Sequence, residues 1–123
     1  MAMIPTTHTH IEITQMLVRL YLLLSQELDR CLDANAARTF SEQEFQAQLT
    51  SARMETLGML AVNRVVQEKV EHACSRTLML TRMYQEATAS NVASATKDLR
   101  TERALLKTKI MTLTDLLAIF RAA

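Results

Sequence analysis

Glycine and proline are almost missing from this chain of 123 residues, with one of each. Tight turns, hairpins and bulges draw on these two residues for their special backbone angles. A sheet protein, which needs many such turns, is therefore excluded, and long helices are what the composition allows. Tryptophan is absent and the aromatics number only five, two Tyr and three Phe. The aromatic anchors that usually dominate a binding hot spot are scarce. Two cysteines, Cys31 and Cys74, are too few for a disulfide framework and suit a reducing, cytoplasmic setting. Charge of one sign is lacking as well. Fourteen Lys and Arg nearly balance thirteen Asp and Glu, for a net charge of +1. A protein that neutralises many phosphates carries a basic excess, so nucleic acid is an unlikely partner. The local cluster Lys97, Arg100, Arg103, Lys107 and Lys109 keeps it as a remote alternative. No stretch approaches the ~20 apolar residues of a membrane span. The richest run, Met16 to Leu24, is broken by Arg19. The N-terminus has no basic segment leading into an apolar run, so it does not read as a secretory signal.

What is present is apolar periodicity. Hydrophobic residues make up 49% of the chain and charged residues 22%, which suits one globular domain. The Thr- and His-rich residues 1–9, with Pro5, read as a flexible tail, and residues 10–123 as a single helical domain. Ile13, Leu17, Leu20, Leu24, Leu28 and Cys31 recur at spacings of three and four, predicting a first helix from about Thr9 to Asp33. Ser41 and Glu44 form a capping box, and Phe40 and Phe45 a hydrophobic staple, so a second helix starts there. No strong breaker follows until about Ser90. Val62, Val66, Val70, Ala73, Leu80 and Tyr84 mark one face of that segment, with Thr77 in the series. A last helix is predicted from about Ser94 to Arg121. Its heptad-like stripe is Leu99, Leu106, Ile110, Leu113, Leu117 and Phe120, with Arg103 in the missing place.

The fold class is thus all-α, an antiparallel helical bundle or coiled coil. It has three long helices, or four if the middle segment breaks near Gly58 to Asn63. Gly58 costs a helix about 1 kcal/mol relative to Ala, enough to permit a bend. The lack of turn residues beside it favours the continuous version. Such a thin fold would leave apolar stripes uncovered, and large exposed apolar patches mark interfaces.

Chemistry finds no footing. The chain has no nucleophile elbow, phosphate-cradling glycine loop or His-Glu-x-x-His run. His8 and His10 lie in the tail. His72 and Cys74, two apart on a helix, point in different directions and do not chelate one metal. His72 has acidic neighbours, Glu68 and Glu71, that oppose phosphotransfer. Cys31 falls on the apolar stripe and reads as buried. Cys74 stands beside a stripe and reads as partly exposed. No enzyme activity, metal, cofactor or small-molecule substrate is expected.

The leading expectation is a non-catalytic interaction module, an adaptor, chaperone or regulator that binds a partner helix or a second copy of itself. Its size and composition are similar to those of the small helical chaperones of bacterial export systems, with no motif behind the likeness. The alternative is a self-assembling coiled-coil subunit pairing through its middle helix. The candidate interface is Met59, Val62, Val66, Val70, Ala73, Leu80, Met83, Tyr84, Leu106, Ile110, Leu113, Leu117 and Phe120. Eight methionines, flexible and polarisable, suit an adaptable groove or an irregular core.

Overall fold

The computed structural model describes residues 7–33, 41–59 and 64–122, without the side chains of residues 7–9, 56–59, 65 and 66. Apart from its connections, the described chain is helical and contains no strand. Four helices follow in order: α1 (Thr7–Leu32), α2 (Glu42–Met59), α3 (Arg64–Gln85) and α4 (Val92–Ala122). The first starts at Thr7, so the last residues assigned to a tail are helical. Met59 and Val66 have side chains outside the described set, and Val62 and Phe40 lie outside it altogether.

Local chemistry accounts for the helix ends. The amide of Glu44 donates to Ser41 Oγ at 3.3 Å, so Ser41 caps α2. The Glu44 carboxylate accepts from Gln48 at 3.2 Å. Glu42 and Glu44 in the first turn also suit the positive end of the helix dipole. At the end of α3 the amide of Ala87 bonds back three residues to Tyr84 at 3.2 Å, a tightened last turn. The chain then reverses without glycine. Asn91 Oδ1 accepts from the Thr88 amide at 2.7 Å, while the Asn91 and Val92 amides donate to the Thr88 carbonyl. No described residue adopts a positive φ. Short polar side chains make this turn by substituting for backbone partners.

Contacts between helices fix their directions. His10 meets Phe120, Tyr21 meets Lys109, and Asp29 meets Arg103. Numbers rise along α1 as they fall along α4, so the two run antiparallel. Arg19 pairs with Glu55 between α1 and α2, and Arg76 with Glu102 between α3 and α4. The decisive contact joins α2 to α3, where Arg53 Nη2 donates to Glu71 Oε2 at 2.6 Å. These residues are eighteen apart, which in one straight helix is ~27 Å. The chain therefore changes direction between them. The expectation of one continuous helix from Ser41 to Ser90 is corrected on this point, and by the turn after Gln85.

One core lies at the centre. Leu20, Leu24 and Leu28 of α1, Phe45 and Leu49 of α2, Val70, Ala73 and Cys74 of α3, and Leu99 and Leu106 of α4 all belong to it. Leucines this well enclosed contribute on the order of 2 kcal/mol each. Helix α1 touches all three others, α4 most extensively. Two carboxylates enter the interior with a cation each. Glu27 takes two hydrogen bonds from Arg30, and Glu102 accepts from Arg76 Nε at 2.8 Å.

Candidate interaction surface

The residues expected to form an interface split into groups. Val70, Ala73, Leu80 and Leu106 are buried in the chain's own core and present no surface. Tyr84, Ile110 and Leu113 pack against that core and are half-buried. Leu117 and Phe120 are also half-buried, and the Phe120 ring lies 5.5 Å from that of His10. Met83 is exposed. The heptad stripe of α4 and the described part of the α3 face, Val70, Ala73 and Leu80, thus turn inward and are used for folding. A helix-period stripe identifies a packed face, and here α1 supplies the packing.

The exposed apolar surface sits beside those stripes, chiefly on α4. Leu105, Met111, Leu116 and Ile119 are 50, 67, 39 and 62% exposed. The candidate interface drawn from the sequence contained none of the four, although Met111 was among the methionines read as suited to an adaptable groove. One signal was available: Leu105, Lys109, Thr112, Leu116 and Ile119 repeat at four and three, one position before the inward series. The threonines strengthen it. Thr101, Thr108 and Thr112 each donate their hydroxyl to the carbonyl four residues back, at 3.0 to 3.1 Å. The hydroxyl is thereby used internally, and the outer surface of α4 is more apolar than its composition suggests.

Between α1, α3 and α4 runs an open groove of about 700 Å³. Leu17 and Tyr21 come from α1, Glu68, Lys69 and His72 from α3, and Thr108, Lys109, Thr112 and Leu113 from α4. The Lys109 ammonium stands 5.7 Å from the centre of the Tyr21 ring, within cation–π range. Burial, with a smaller push from Cys74, raises the Tyr21 pKa, so the hydroxyl stays neutral. The groove has an apolar floor and a mixed charged rim. This chemistry suits docking an amphipathic surface.

The two thiols reverse the expectation from sequence. Cys74 is buried and Cys31 only half-buried. Burial pushes Cys74 up to about 11; Arg53 opposes this and Glu71 adds to it. Burial also raises Cys31. Neither is an activated thiolate, and Cys74 is no surface handle for cross-linking. The basic stretch of α4 does not converge on one surface. Arg103 pairs with Asp29 at 3.3 Å and Lys109 lies over Tyr21, while Lys97, Arg100 and Lys107 are exposed. Among the described residues no three His, Cys, Asp or Glu side chains gather as metal ligands would. None of the helices among them is long and apolar enough to cross a membrane. No protein-family model, curated protein or solved structure matches the chain.

Proposed function

We propose that the protein is a non-catalytic interaction module, a four-helix antiparallel bundle that receives an amphipathic helix of a partner protein in the groove between α1, α3 and α4. The observation that carries the reading is this groove of about 700 Å³ with apolar side chains on its floor. Leu105 and Leu116 prolong the apolar lining along α4, and both are exposed. Helix-in-groove binding takes apolar anchors at helical spacing, and the charges of Glu68, Lys69 and Lys109 on the rim would orient such a ligand. An adaptor, chaperone or regulator of the cytoplasm works in this way.

The test is a selection from a displayed library of helical peptides against the full chain. Amphipathic peptides are expected, and His72→Trp, which places bulk in the groove from an exposed position, should weaken them at least ~10-fold, about 1.4 kcal/mol. Selected peptides that bind the His72→Trp variant equally well, or a selection that yields none, would remove the groove as the functional site.

A further inference from the structure

Charge pairing between α3 and α4 changes character where the groove begins. Arg76 of α3 meets Glu102 of α4 at 2.8 Å, with the carboxylate buried. The two helices run antiparallel, so seven residues back along α3 is level with seven residues on along α4. That step, about 10 Å along the axes, leads to Lys69 and Lys109. Both line the groove. One level thus sets a cation against a carboxylate, and the next sets two ammonium groups across an apolar floor. Tyr21 of α1 belongs to that floor, and Lys109 Nζ stands 5.7 Å from its ring centre. Among the described residues neither lysine has a carboxylate as ion-pair partner. Glu68 lines the same groove but stands apart. At ~100° per residue Lys69 adjoins the buried face of Val70, Ala73 and Thr77, whereas Glu68 falls nearly opposite that face, on the outer rim.

We infer that the groove receives an acidic amphipathic helix, whose central Glu or Asp enters between Lys69 and Lys109. This partner chemistry rests on the reading of the groove as a helix-binding site. A helix laid there strips water from both ammonium groups. Two like charges left dry and unpaired weaken binding, whereas a carboxylate between them accepts from each. The groove therefore selects by penalty as well as by attraction, because a neutral or basic helix leaves both cations unanswered. The spacing of the apolar anchors follows from α4. Leu105 lies four residues before Lys109 and Leu113 four after, about 6 Å to either side. Leu105 is exposed and Leu113 lines the groove. A helix lying along α4 meets them with apolar residues four places before and four places after its carboxylate.

Two displayed libraries of amphipathic helices, each of about 18 residues or five turns, test this on the full chain. They differ only at the central position of the apolar face, which is Glu in one and Lys in the other. The wild type should enrich binders from the Glu library alone. Replacing that Glu by Gln in a recovered peptide should weaken it about tenfold. The Lys69→Glu/Lys109→Glu variant should reverse the choice and take peptides from the Lys library. Both positions are exposed, and matched thermal melts check the fold. Lys69→Gln alone keeps the cation over Tyr21; it should weaken the Glu peptides and leave their Gln versions unchanged. Equal enrichment from both libraries, or Gln peptides that bind as well as Glu peptides, overturns the acidic partner. If His72→Trp still weakens those peptides, the groove reading stands. No binder from either library removes both. Dodecanoate that binds the wild type but not the Lys69→Glu/Lys109→Glu variant, with no peptide bound, assigns the lysines to a small anionic amphiphile and overturns the acidic helix.

Discussion

The two halves of α4 carry the same heptad pattern and meet different fates. In the first half, Leu99, Glu102 and Leu106 are buried. Beyond Leu106 no residue of the helix through Ala122 is buried, and Ile110, Leu113, Leu117 and Phe120 are half-covered at best. The near half runs where α1 carries Leu24 and Leu28 and α3 contributes Cys74 and Thr77, all buried. The far half runs along the beginning of α1 and past the groove. Periodicity states which face of a helix turns inward. Coverage depends on how many neighbours reach that level, and this is set by chain reversals elsewhere.

The sharpest way to break this contrast is a pair of truncations on the one stripe. Leu106→Ala should cost about 3 kcal/mol, because a fully enclosed leucine leaves a cavity, whereas Leu117→Ala should cost about 1 kcal/mol. Urea unfolding measures both, and equal losses would show that the far half is closed as tightly as the near one. A smaller effect is expected from alkali. The Cys74 pKa is raised in the fold to about 11 from 9.0, so the neutral thiol is the native form. The sign follows from linkage. This contribution is complete below about pH 9 and is lost as pH rises through 11, in total roughly 2 kcal/mol. Cys74→Ala should flatten that part of the stability profile, and a thiol reagent on the native protein should modify Cys31 well before Cys74. The smallest effect is a gain. Thr77 is fully buried and its hydroxyl has no hydrogen-bond partner. Thr77→Val keeps the shape and removes the unpaired group, so stability should rise by about 1 kcal/mol. A loss instead would reveal a partner for the hydroxyl, such as an internal water.

Several of these features were legible in the sequence. The near absence of Gly and Pro excluded sheets, Ser41 announced the start of α2, and the face of Val70, Ala73, Thr77 and Leu80 was read as one face and is one. The reversal between α2 and α3 was legible only as an alternative, the four-helix version with a break near Gly58 to Asn63, and the contact of Arg53 with Glu71 is what favours it. The exposed face of α4 was hidden for another reason. Counting Thr101, Thr108 and Thr112 as polar ignores where their hydroxyls go, and that is a matter of geometry. The inward stripes were taken for an interface because a periodic pattern looks the same whether the cover comes from the chain itself or from outside. The exposure of Cys31 and Cys74 likewise depends on helices distant in sequence.

The tilted ring contact of His10 with Phe120 holds the start of α1 and the finish of α4 at one pole of the molecule. A force pulling these two ends apart would act across the α1–α4 pair and not along it. The pair would open like a zip, with the His10–Phe120 contact parting first, then Tyr21 from Lys109, and only then Asp29 from Arg103. Mechanical resistance from this direction is met one contact at a time. A load directed along the helices would meet all of them at once.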